Sequence, residues 1–110
     1  MPLIVSEASA VPDDATVIFY SSIVDGKLWC PDCRDVEGIV NATFQGEKKP
    51  TAYLVYVGDR PTWKSPKSVF RAEPWKITSV PTILKRKDGK EVSRIQDSEI
   101  LSKLPEFVEE

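Results

Sequence analysis

Residues 16–57 read TVIFYSSIVDGKLWCPDCRDVEGIVNATFQGEKKPTAYLVYV, and this stretch decides the fold. Thr16 to Tyr20 is a short run of β-branched and aromatic residues without polar alternation, the pattern of a strand covered on both faces. Ser21 to Leu28 then carries Asp25-Gly26, a turn signal, and delivers the chain to Trp29 and Cys30. From Pro31 to about Gln45, the residues Cys33, Val36, Val40 and Phe44 recur at spacings of three or four, which predicts a helix with one apolar face, stopped by Gly46. Ala52 to Val57 is the most apolar run of the chain and reads as a central strand. Strand, helix, strand is the βαβ unit, whose strands are parallel and whose crossover is right-handed. Residues 30–33 fall at its strand-to-helix turn, outside the carboxyl ends of the strands, where open α/β sheets bind their ligands.

Downstream, residues 58–78 contain three prolines and two tryptophans and predict an irregular stretch, with a helical turn or two between Lys67 and Glu73. Thr82-Ile83-Leu84 and Glu91 to Ile95 flank Asp88-Gly89, a two-residue hairpin signal, so two antiparallel strands follow. Asp97-Ser98 can cap a last helix whose Ile100, Leu101, Leu104, Phe107 and Val108 share one face, with Pro105 expected to kink or split it. The order βαβ, irregular stretch, ββα assigns the α/β class: a central mixed sheet flanked by helices, in one domain over residues 1–110.

Composition narrows the chemistry. A chain of 110 residues suits one core. No apolar run approaches the roughly 20 residues that span a bilayer. The N-terminal MPLIVSEASAVPDD has no basic region before its apolar patch and Glu7 soon after it, so it does not read as a secretory signal, and a cytoplasmic location is expected. Net charge is −2, and the basic residues are scattered apart from Lys85-Arg86-Lys87, expected to be a solvated strand end. Neither nucleic acid nor membrane is expected as a partner, and the chain is expected to be a monomer. The absence of histidine excludes Ser-His-Asp, Cys-His and His-based zinc chemistry, and two cysteines supply only two of four ligands, so no metal is expected.

What remains centres on Cys30 and Cys33. Two thiols separated by two residues at a helix start close into a small disulfide ring, so one attacks a substrate disulfide and the other resolves the mixed disulfide. With Cys30 at the N-cap, Pro31 falls at the first helical position, where its missing N–H costs nothing. A Cys30 thiolate would there accept hydrogen bonds from the Asp32 or Cys33 backbone N–H and face the positive end of the helix dipole. Cys33 shares the face of Val36 and Val40, so it turns to the core, which raises its pKa and protects it. Cys30 is therefore read as the nucleophile and Cys33 as the resolver. Asp32 can tune the motif or serve simply as a first-turn acid, and Trp29 can be a platform for substrate or reductase. Trp63 and Trp75 read as packing anchors, with Trp63 also a candidate rim contact.

WCPDC, the order of elements and Val80-Pro81-Thr82 together resemble the thioredoxin family. The chain is more closely similar to the small thioredoxin-like family of thioredoxin domain-containing protein 17, a cytosolic thioredoxin-related protein. That likeness is carried by Gly26-Lys27, Trp29 to Cys33, Val57-Gly58-Asp59-Arg60-Pro61, Trp63-Lys64, Pro66 and Phe70-Arg71. The resemblance implies a thioredoxin fold and a disulfide reductase without a cofactor of its own, reduced by thioredoxin reductase at the expense of NADPH. Its implied substrates are small disulfides such as cystine and selected protein thiol modifications. It also implies a cis bond before Pro81 that sets Val80 and Pro81 beside the cysteines, where the backbone aligns a substrate. Two departures stand out. Thioredoxins proper carry a buried Asp on the strand leading to the motif, whereas Val17 to Tyr20 offers no carboxylate, and Thr62 stands where the family has an aromatic residue. The alternative to an enzyme is a redox-sensitive adaptor that binds a partner protein without turnover.

Overall fold

The structure is a computed structural model, and it describes residues 3–45, 50–72 and 74–109. The expected helix stop at Gly46, and Glu73 at the end of the expected helical turn, lie outside the described residues. The main sheet has five strands, β1 (Leu3–Val5), β2 (Ala15–Tyr20), β5 (Ala52–Tyr56), β6 (Thr82–Lys87) and β7 (Lys90–Gln96), in the order β1-β5-β2-β6-β7. β5 runs parallel to both β1 and β2, while β6 is antiparallel to β2 and to β7. Between β2 and the first helix lies a small hairpin of β3 (Ile23–Val24) and β4 (Lys27–Leu28). The sheet is mixed, as the sequence predicts. The N-terminal apolar patch forms an edge strand, Leu3 opposite Ala52, a role that three residues without a repeat cannot signal.

Val17 to Tyr20 are all buried, and alternation sends successive side chains to opposite faces of β2. On one face lies α1 (Pro31–Phe44), which buries Cys33, Val36, Val40 and Phe44, the four residues its periodicity selects. α3 (Glu99–Glu109) buries Ile100, Leu104 and Phe107. Two expectations for α3 are corrected. Leu101 is 49% exposed, because the stripe at positions 100, 104 and 107 already fills the contact and position 101 lies a hundred degrees round the helix from 100. The helix also runs unbroken through Pro105, which is exposed, so water can satisfy the carbonyl that its missing N–H leaves. No described helix is long and apolar enough to cross a membrane.

The stretch after β5 is more ordered than its composition suggests. α2 (Arg60–Lys64) starts from Asp59, whose carboxylate accepts the Thr62 N–H at 3.0 Å, with Pro61 in the first turn where proline is tolerated. A 3-10 turn at Val69–Arg71 falls within the span expected to hold a helical turn. Phe70 and Trp75 meet Phe19 edge-on at 6.0 and 5.3 Å between ring centroids. Trp63 lies beneath the Arg71 guanidinium at 4.2 Å, and Trp75 beneath that of Arg86 at 4.5 Å. The basic run is therefore not a solvated end: Arg86 stacks on an indole and Lys85 bonds the Phe107 carbonyl, leaving only Lys87 exposed.

Candidate functional site

Three backbone strands converge on the cysteines. β2 and β5 are parallel, so both carboxyl ends lie at one edge, and their ladder extends through Val57 N–H to Tyr20 O at 2.9 Å and Ser22 N–H to Gly58 O at 3.2 Å. β6 runs the other way with Thr82 opposite Phe19, which brings the preceding cis Val80–Pro81 bond to the end of β2. In the β3–β4 hairpin, Asp25 and Gly26 both adopt positive φ, 53° and 84°, the tight turn that Asp-Gly favours. The chain is thereby returned to Trp29, whose N–H donates to Ser22 O at 3.4 Å.

Cys30 caps α1 in an extended conformation, with Pro31 next. Both cysteines are free thiols; Cys30 is 8% exposed and Cys33 not at all. The expected capping by the Cys30 sulfur is absent: as a thiol it is a donor, and it points to the Val80 carbonyl at 3.6 Å. Cys30 N–H donates instead to Ser21 Oγ at 3.2 Å. Cys33 Sγ accepts the Ser21 backbone N–H at 3.4 Å. Burial pushes the Cys33 thiol up to about 12, the Ser21 N–H acting against that rise. Pro31 and Asp32 are exposed, whereas Val80 and Pro81 are buried. The structure thus brings Cys30, Cys33, Trp29, Val80 and Pro81 together, and leaves Asp32 on the outer face of the first turn.

Trp29 is half-buried and pinned at both ends. Its indole N–H donates to Gly58 O at 2.8 Å, and Arg60 lies over the ring at 4.8 Å while donating to the Trp29 carbonyl at 3.4 Å. Gly58 has φ +103°, and a Cβ there would lie 3.0 Å from Thr62 Cγ2. Only glycine takes that backbone without strain, and its N–H donates to Ser22 Oγ at 2.8 Å. Trp63, expected as an anchor and candidate rim contact, is 5% exposed and serves packing alone. The cis-proline turn has its own braces: Thr82 Oγ1 donates to Ser79 O at 2.7 Å, Ser79 Oγ to Asp97 Oδ2 at 3.1 Å, and Asp97 N–H to Pro81 O at 2.9 Å. Ser21, Ser22, Gly58 and Arg60 escape a local reading. For Gly58 and Arg60 a signal exists in Val57-Gly58-Asp59-Arg60, which follows the apolar strand; the two serines carry none.

Tyr20 stands next to this cluster. Its hydroxyl is buried with no hydrogen-bond partner among the described residues, and burial, then the charges of Glu37 and Cys33, raise its pKa. A groove of about 980 Å³ walled by Val5, Val11, Tyr56, Phe70, Trp75 and Arg86 contains neither cysteine, so the thiol chemistry lies outside it.

Residues 5–109 match the family described as thioredoxin domain-containing protein 17-like, thioredoxin domain. The chain belongs to this family. Among relatives, it is 39% identical over 79 residues to the thioredoxin-like protein Clot of Oryza sativa subsp. japonica, covering 66% of this chain and 57% of that one. It is 44% identical over 69 residues to thioredoxin domain-containing protein 17 of Mus musculus, covering 59% and 53%. The chain thus spans little more than half the length of these relatives. Among solved structures, thioredoxin f of spinach chloroplast, in its short form, superposes with a TM-score of 0.66 at 13% identity, over 98% of this chain and 91% of that one. Fasciola hepatica thioredoxin superposes at 0.59 with 25% identity, over 86% and 77%. This member of the thioredoxin domain-containing protein 17-like family has the thioredoxin fold, with its cysteine pair at the start of α1.

Proposed function

We propose that the chain is a cytosolic thiol-disulfide reductase with Cys30 as nucleophile and Cys33 as resolver. The observation that carries this reading is the asymmetry of the two sulfurs: one at a helix N-cap and still slightly exposed, the other wholly enclosed with its thiol held protonated. A Cys30 thiolate attacks one sulfur of a substrate disulfide and releases the other as a thiol. Cys33 then displaces the second thiol, so the substrate gains two electrons and the protein is left with a Cys30–Cys33 disulfide. Thioredoxin reductase with NADPH returns the two electrons, and no bound cofactor takes part.

Small disulfides such as cystine, and extended protein segments carrying a thiol modification, fit best. Cys30 is only 8% exposed and hemmed in by the Val80 carbonyl, and access so narrow favours small or extended partners over rigid protein surfaces. Trp29 offers the contact face for substrate or reductase, and Val80 and Pro81 the backbone against which a substrate lies. Asp32 tunes the motif from the exposed side, and the chain works as a monomer.

The test is NADPH consumption with thioredoxin reductase and this chain, on cystine and on a disulfide in a rigid folded protein. Continuous turnover on cystine and weak turnover on the folded protein is the expected result. A chain reduced once and then idle would instead be a redox-sensitive adaptor, and equal rates on both substrates would remove the preference for small disulfides.

A further inference from the structure

Cys33 has to act as a nucleophile from a place where no carboxylate helps it. Among the described residues, the fully buried polar side chains are Ser21 and Thr82, and the Thr82 hydroxyl is committed to Ser79 O at 2.7 Å. Ser21 touches both cysteines. Its N–H donates to Cys33 Sγ at 3.4 Å and its Oγ accepts the Cys30 N–H at 3.2 Å. A hydroxyl carries one proton and two lone pairs. One lone pair is engaged by the Cys30 N–H, and among the described residues no acceptor holds the hydroxyl proton, which leaves it available to the neighbouring Cys33 sulfur once that sulfur ionises; side-chain hydrogen bonding from Ser21 favours the Cys33 thiolate in the same sense.

We propose that Ser21 is a catalytic hydrogen-bond donor for the resolving step, its N–H and hydroxyl together holding the Cys33 thiolate as it attacks Cys30. The proposal rests on the reductase reading above. In the step, Cys33 loses its thiol proton, its sulfur bonds to Cys30 Sγ, and the bond between Cys30 and the substrate sulfur breaks. The substrate sulfur leaves with the electron pair and takes up a proton, so one thiol is consumed and one formed. The other titratable group acting on Cys33 is Cys30, while the buried Tyr20 hydroxyl is itself acted on by Glu37, Cys33 and Tyr56. Neither is placed to donate to the sulfur as the Ser21 N–H is: Cys30 Sγ is the atom attacked, and the Tyr20 hydroxyl has no hydrogen bond to it. A hydrogen bond to a charged group outweighs one to a neutral group, so the loss of Ser21's hydroxyl falls on the thiolate form.

The experiment uses dithiobis(nitrobenzoate), which releases one coloured thiolate when Cys30 attacks and a second when Cys33 resolves. Ser21→Ala and Ser21→Gly both keep the backbone N–H and lose the hydroxyl. Relative to the first release, which also loses the acceptor of the Cys30 N–H, the second should slow about tenfold or more further, and its pH profile should move upward. Ser21→Thr, which keeps the hydroxyl, should recover most of the second rate. An unchanged second release in Ala and Gly, equal slowing of both releases, or slowing in Thr as large as in Ala would overturn the proposal. Should neither truncated variant fold, the unsubstituted protein decides by NMR: the Ser21 hydroxyl proton must exchange slowly when reduced and lose that protection when the Cys30–Cys33 disulfide forms, and a freely exchanging proton in the reduced form rejects the proposal. If the unmodified protein releases only one thiolate, the reductase reading itself fails, an outcome distinct from any effect of Ser21.

Discussion

From β2 to β5 the chain crosses through a regular helix of 14 residues, whereas from β5 to β6 it crosses through five residues of helix, a 3-10 turn and two tryptophan–arginine stacks. The first crossing brings both sulfurs to the site at the start of one helix, Cys30 at its N-cap and Cys33 in its first turn. The second brings no reactive group from its interior, but each of its ends delivers a carbonyl: Gly58 O to the Trp29 indole and Val80 O to the Cys30 thiol. A regular helix places chemistry by its own period. An irregular segment places it only by where its ends are fastened, and its aromatic middle does the fastening.

Breaking the first crossing should have the largest effect. Cys33→Ser should trap substrate on Cys30 as a mixed disulfide and reduce turnover by about a hundredfold or more, while Cys30→Ser should be inert. Mass spectrometry of the trapped adduct checks this, and an adduct on Cys33 would exchange the two roles. Breaking the middle of the second crossing should cost stability instead. Trp63→Ala should lose about 3–5 kcal/mol in urea titration, with the rate of Cys30 alkylation per folded molecule unchanged. A change in that rate would restore Trp63 as a contact at the rim.

The fastened end of the second crossing should show a smaller, mixed effect. Gly58→Ala forces a side chain into positive φ and against Thr62, a strain of about 1–2 kcal/mol, and loosens the Trp29 anchor. Trp29 fluorescence should shift and turnover fall severalfold; stability loss with unaltered fluorescence would show that the anchor survives. The smallest effect, absent at neutral pH, comes from the enclosed thiol. An unfolded Cys33 ionises near 9.0 and the folded one near 12, so above pH 9 the unfolded state sheds a proton that the folded state keeps. Stability should be flat below that point and fall above it by up to about 1.4 kcal/mol per pH unit, with Tyr20 adding in the same direction above its ordinary value. Cys33→Ser should flatten the first part of this slope, and an unchanged slope would mean the thiol ionises in the folded state.

Much of this was legible along the chain. Helical spacing alone groups Cys33 with Val36, Val40 and Phe44, and all four are buried. Asp88-Gly89 marks its hairpin, with φ of 54° and 78° at the two turn residues. Leu101 was misplaced because a run of apolar residues widens an apparent stripe beyond what its neighbours can cover, and Pro105 because a helix-breaking residue at an exposed position breaks little. The N-terminal edge strand was invisible because three residues acquire a strand's identity only from the neighbour they pair with.

The sequence by itself determined the βαβ unit, the cysteine pair at the helix start and which of the two thiols turns inward, since each follows from contacts within a few residues and from the helical repeat. Only the tertiary structure decided what surrounds the sulfurs. Val80 lies 50 residues from Cys30 and Gly58 lies 29 from Trp29, and both arrive through the parallel and antiparallel registers of β2 with its two neighbours. Ser21 is nearer, yet its contacts exist only because the β3–β4 hairpin folds the chain back onto the end of β2. A serine in a loop carries no period and no spacing rule, so its place beside two cysteines is set by the closure of that hairpin and by nothing local.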